Sequence, residues 1–148
     1  IARVCDSLDW PYSVFDVREE YCNEQRYPDS KEYFCSSVED FLGKETKESL
    51  SRFSDILLLS HDWSVDEELL VGLLRVCSEG VRPRIGAIGS KKKWSAFEKK
   101  AIESGIEKRL IESVRCPIGL DIGADSPEEI AIAVCAEVLS LERKDMST

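Results

Sequence analysis

Histidine and methionine each occur once in this 148-residue chain. His61 is the single imidazole, and no Cys/His cluster has zinc spacing. The six cysteines, Cys5, Cys22, Cys35, Cys77, Cys116 and Cys135, include no C-x-x-C pair. Cys77 and Cys135 fall within helical apolar patterns, where a free thiol packs as a small hydrophobe. The expectation is reduced cysteines in a cytoplasmic protein, because disulfide frameworks belong mostly to small secreted chains. No apolar run reaches the roughly 20 residues that span a bilayer, and no signal-peptide pattern is visible. A phosphate-cradling P-loop and a serine elbow are both missing. The acidic pairs Glu19-Glu20, Glu67-Glu68 and Glu128-Glu129 read as solvated helix charges, so no acid–base pair is assigned to catalysis.

What is present is an ordinary amount of apolar sequence, 43%, and a net charge of −9. The length suits one domain with a real core. The negative charge argues against nucleic acid or an anionic membrane as a partner. One local basic site stands out, the consecutive lysines Lys91, Lys92 and Lys93.

Strand and helix patterns alternate along the chain. Ile1 to Cys5 reads as a helix already under way. Tyr12 to Asp16 and Tyr33 to Cys35 read as short strands, and Lys44 to Phe53 as a polar helix. Asp55 to Ser60 is a continuous apolar run of the kind that a parallel strand shows when covered on both faces. Asp66 to Glu79 places Leu69, Leu70, Leu73, Leu74 and Cys77 at helical spacing. Arg84 to Gly89 is a strand, Ser90 to Ser104 and Ile106 to Val114 are helices, and Pro117 to Leu120 is a last short strand. The final helix is the best marked. Ser126 is its N-cap, Pro127 stands at N1, and Glu129 at N3 completes a capping box. The alternation predicts an α/β fold, a mostly parallel sheet with helices on both faces.

Candidate ligand positions lie where strands end and helices begin. Gly89-Ser90 opens a helix whose first turn carries three lysines, an unfavourable place for cations. Either the ammonium groups point into solvent, or an anion lies on the helix start and reverses the penalty. Asp16, at a strand end, is a turn residue or the acceptor of a ribose hydroxyl. The G-x-G-x-x-G turn that should precede such an aspartate is absent, and none of the 15 residues before Asp16 is glycine. His61 directly follows the Leu57-Leu58-Leu59 strand and either caps the next helix or joins Asp16 and Ser90 at one shared crevice. Gly119, Asp121 and Gly123 permit a tight backbone path, beside a ligand or simply into the last helix.

In order and type these segments resemble the XdhC/CoxI family, accessory proteins of molybdenum hydroxylases such as xanthine dehydrogenase. Gly89-Ser90-x-x-Lys93 matches the family's Gly-Ser-x-x-Lys. Asp16-Val17-Arg18 resembles its D-x-R, and Tyr27-Pro28 its F-P. Ser60-His61 resembles T-H with serine for threonine. Pro117 to Gly123 is the most family-specific stretch. The resemblance covers about Val14 to Lys144 and implies the family's C-terminal domain, a three-layer α/β/α Rossmann-like fold over residues 1–148. Its first strand and glycine turn are expected to be missing, with Ile1 within the first helix. The family also has an additional N-terminal domain.

The resemblance further implies an accessory factor, not an enzyme, that binds molybdenum cofactor (molybdopterin) and helps deliver it to a xanthine dehydrogenase-type client. Asp16, Arg18, His61, Gly89, Ser90, Lys93, Gly119, Asp121 and Gly123 are the implied cofactor contacts, and a homodimer is compatible with it. The alternative is an NAD(P)-binding oxidoreductase or redox-sensing domain using the same crevice. A vestigial interaction domain is the third reading.

Overall fold

The computed structural model describes residues 1–60, 62–77 and 82–147. Contacts divide the chain into two compact units, Ile1–Ser36 with Gly119–Thr148, and Ser37–Ile118.

In the first unit, helix α1 (Ala2–Ser7) precedes strand β1 (Val14–Asp16), a single 3-10 turn (Glu19–Tyr21) and strand β2 (Tyr33–Cys35). The two strands pair in parallel, with Val14 opposite Tyr33 and Asp16 opposite Cys35. The long last helix, numbered α7 below, spans Pro127–Met146 and packs against α1. Its start follows from sequence. Ser126 Oγ accepts from the Glu129 N–H at 3.1 Å, and Glu129 Oε1 accepts from Asp125 N–H at 2.9 Å. Those backbone donors hold the Glu129 carboxyl below its ordinary range. The buried face of α7 is built from small residues, Ala131, Ala133, Val134 and Cys135. The Cys5 and Cys135 thiols meet there. Their hydrogen bond pulls Cys135 down to about 7 and pushes Cys5 up.

The second unit runs α2 (Val38–Lys44), α3 (Lys47–Leu50), β3 (Asp55–Leu58), α4 (Trp63–Val76), β4 (Arg84–Ala87), α5 (Lys91–Glu103) and α6 (Lys108–Glu112). β3 and β4 pair in parallel from Asp55–Arg84 to Leu58–Ala87, joined through α4. Parallel strands need such a crossover, and it covers the sheet with the helix face bearing Leu69, Leu70, Leu73 and Leu74. Phe97 of α5 is fully buried, which contributes roughly 1.5–3 kcal/mol on transfer grounds. At Gly72 of α4, a Cβ would stand 2.1 Å from Leu42 Cδ1, so glycine lets α2 approach closely. The amino ends of the strands are clamped by charge. Asp55 accepts from Arg84 Nη2 at 2.7 Å and lies 3.7 Å from Arg115 Nη2.

The α/β class and the parallel pairing are as the sequence predicts, and three details differ. The strand expected over Pro117–Leu120 is reduced to one parallel bridge, Arg115 to Gly86, extended by Ile118 N–H to Ala87 O at 3.1 Å. Pro117 has no N–H to give, and Gly119 turns away at φ +102°. The polar helix expected over Lys44–Phe53 contracts to the four residues of α3, while α2 begins earlier because Ser37 caps it, accepting from Asp40 N–H at 3.1 Å. α4 starts at Trp63 because Asp62 caps it, accepting from Ser64 N–H at 2.9 Å.

Candidate anion site at the strand ends

At the carboxyl end of β4 the chain passes through Ile88, Gly89 and Ser90 into α5. Ile88 N–H donates to Leu58 O at 3.0 Å, tying this loop to the end of β3. Gly89 has φ +149°. A Cβ there would stand 2.5 Å from Lys93 Cδ, so both its backbone angle and its space call for glycine. Ser90 is the exposed N-cap of α5, and its Oγ accepts from Lys93 N–H at 3.2 Å. The serine hydroxyl hydrogen stays available to a ligand.

Lys93 answers the electrostatic problem of three lysines on a helix start. It does not point into solvent. Its Nζ donates to Asp66 Oδ2 at 3.1 Å and to Ile88 O at 2.8 Å, and the residue is 3% exposed. Asp66, at 1% exposed, also accepts from Ser60 N–H through Oδ1 at 3.3 Å. One buried pair therefore joins the loop after β3, the first turn of α4, the loop after β4 and the first turn of α5. Burial pushes the Asp66 carboxyl above its usual range, with the Lys93 ammonium pulling the other way. Lys91 and Lys92 remain exposed.

Asp66 is the residue that sequence reasoning missed. Its signal was present. It stands three and four positions before Leu69 and Leu70, on the face of α4 that the leucines bury. A carboxylate on such a face needs a partner.

Asp16 ends β1 as expected. Its carboxylate accepts from Arg18 through the backbone N–H at 2.9 Å, Nε at 3.1 Å and Nη2 at 3.2 Å. The Arg18 guanidinium in turn lies 3.9 Å from the Tyr21 ring centroid, with Arg26 at 4.8 Å from the same ring. The D-x-R segment is thus a closed local clamp that presents an arginine. Gly119 and Gly123 both have positive φ, +102° and +73°, and Asp121 between them is exposed. Leu120 N–H donates to Ala133 O at 3.1 Å, anchoring that turn to α7. His61 lies outside the described residues.

The structure thus brings Gly89, Ser90 and Lys93 together with Asp66 in one unit. Asp16 and Arg18 form a second group, and the Gly119–Gly123 turn a third, in the other unit. Among the described residues no group of three or more His, Cys, Asp or Glu could hold a metal ion. No helix among them is long and apolar enough to cross a membrane.

Comparison with known proteins identifies the domain. The family model for the XdhC Rossmann domain matches residues 1–138. The uncharacterized protein YqeB of Escherichia coli (strain K12) is 29% identical over 147 residues, covering 96% of this chain and 25% of that protein. A solved structure of a xanthine dehydrogenase from Bacillus halodurans superposes with a TM-score of 0.78 at 26% identity, over 99% of this chain and 41% of that one. The chain therefore spans about a quarter of the curated relative and two fifths of the structural one.

Proposed function

The chain belongs to the XdhC family through its Rossmann domain, and from that premise we propose that it is the cofactor-holding part of an accessory protein for a xanthine dehydrogenase-type molybdenum hydroxylase. The ligand is a molybdopterin-type cofactor, seated by its phosphate on the start of α5. The observation that carries this reading is the loop after β4. Its glycine conformation, exposed Ser90 cap and buried Asp66–Lys93 pair make a rigid helix start with donors facing outward.

The donor chemistry fits a phosphate. Ser90 offers a hydroxyl, and the N–H groups of Lys91 and Lys92 belong to the first turn, where helical partners are lacking. Lys91 and Lys92 add positive charge at the surface. Lys93 acts as a positioning residue, since its ammonium is committed to Asp66 and Ile88. In the other unit Arg18, held by Asp16, is an anion-binding group of its own; His61, Gly119, Asp121 and Gly123 enter as cofactor contacts on the family resemblance alone. When bound, the cofactor supplies the molybdenum chemistry that its client uses. This domain's residues have only to hold it and release it, so the useful observable is affinity and not rate.

Two measurements test the proposal. Phosphate or sulfate raises Tm beyond chloride at matched ionic strength, and Ser90→Ala removes that gain. An equal gain in the variant sinks the anion site. Mass spectrometry of the small molecule released from the longer natural protein, purified under mild conditions, finds a molybdopterin-type compound. Release of a nicotinamide dinucleotide instead, with steady NADH oxidation lost on His61→Ala, moves the chain to the oxidoreductase class.

A further inference from the structure

Two cysteines stand at the end of the β1–β2 pair with no part in the anion site. Cys22, 4% exposed, directly follows the 3-10 turn, and its Sγ–H donates to Val14 O at 3.7 Å. Cys35 closes β2 opposite Asp16 and is exposed. Cys22 is thereby held against β1 and Cys35 stands across the strand pair from the same strand, close enough for the Cys35 thiol to help raise that of Cys22. One sulfur is thus open to solvent and the other sits behind it, both fixed to the same strand end. That is the arrangement of an attacked thiol and a resolving thiol.

We propose that Cys35 and Cys22 are a peroxide-responsive thiol pair that closes to a reversible disulfide. The Cys35 sulfur, as thiolate, attacks one oxygen of hydrogen peroxide. The O–O bond breaks, Cys35 becomes a sulfenic acid, and the displaced hydroxide takes up the thiol's proton as water. Cys22 Sγ then attacks Cys35 Sγ. The S–O bond breaks, the S–S bond forms, and the departing hydroxide takes the Cys22 proton as a second water. Two thiols lose two electrons and one peroxide gains them. Burial pushes the Cys22 thiol up, which keeps it protonated and leaves first attack to exposed Cys35. The disulfide would tie the turn that bears Tyr21 to β2, beside the Asp16–Arg18 clamp, by a cross-link that constrains the unfolded chain as well.

The test uses the full chain, a few equivalents of hydrogen peroxide at neutral pH, alkylation with N-ethylmaleimide, and tryptic digestion without reductant. Cleavage after Arg18, Arg26, Lys31 and Lys44 puts the two cysteines on separate peptides, Glu19–Arg26 and Glu32–Lys44. The expected result is one linked species, two hydrogens lighter than the sum, that dithiothreitol separates, and a higher Tm for the oxidised chain. In Cys22→Ser the Cys35 sulfenic acid persists and is trapped by dimedone, while the wild-type chain gives little adduct. Separate alkylated peptides, a Cys35 sulfinic acid beside a free Cys22, or linkage of either cysteine to Cys5, Cys116 or Cys135 overturns the proposal. Equal dimedone adduct in both chains overturns it as well.

Discussion

β3 and β4 end in loops joined by a buried ion pair, whereas β1 and β2 end among part-exposed charges and two thiols. Both pairs are parallel and short. The Lys93–Asp66 side chains are 4% and 1% exposed, the Arg18–Asp16 side chains 35% and 24%. The difference teaches what each pair can do. A buried pair cannot lose one member cheaply, because the survivor keeps its desolvation cost. An exposed pair is screened by water and salt, and its members stay available to a ligand. One strand end is therefore built as a fixed frame and the other as a contact surface.

The sharpest way to break this comparison is Lys93→Met. Leaving Asp66 buried alone costs about 3–5 kcal/mol in urea unfolding, by the general behaviour of broken buried pairs. The double variant Asp66→Leu, Lys93→Met regains most of that loss. If the double variant is as unstable as the single one, packing and not charge holds the loops. Gly89→Ala comes next. A side chain at φ +149° that presses on a committed lysine is expected to cost about 1–3 kcal/mol. Its crystal structure would show Lys93 displaced, and an undisturbed Lys93–Asp66 contact would refute the account. In the other unit, Ser126→Ala removes the α7 cap and costs about 1 kcal/mol, read as a small fall in Tm. The smallest effect is expected from Arg18→Ala. Thermal stability stays within error of wild type, while any binding of phosphate-bearing ligand to that strand end weakens. A large loss of stability there would erase the distinction drawn between the two ends.

Much of this was legible in advance because it is local. Capping boxes, a continuous apolar strand and helical leucine spacing are properties of a few neighbouring residues, and they located β3, α4, α5 and the start of α7. The Gly89-Ser90 turn was legible for the same reason, as a glycine and a capping residue between two well-marked elements. What was hidden is long-range. In sequence Lys93 reads as a ligand contact and not as half of a buried ion pair, because its partner lies 27 positions away on another helix. Asp66 was visible only as an acidic residue on an apolar face, a sign that says a partner exists without saying which. The short β1 and β2 gave weak signals because three residues of strand carry little periodicity, and the last strand was over-read because Pro117 and Gly119 interrupt it.

The division of the chain into Ser37–Ile118 and a unit assembled from Ile1–Ser36 with Gly119–Thr148 has a consequence in time. A ribosome moving at about 5–20 residues per second delivers the continuous segment whole before any of α7 exists. α1, β1 and β2 emerge before that segment yet wait several seconds for the helix that packs on α1. During that interval Cys5 has no Cys135 to meet, and the apolar side of α1 is open. Of the two units, the discontinuous one therefore begins earlier and closes later.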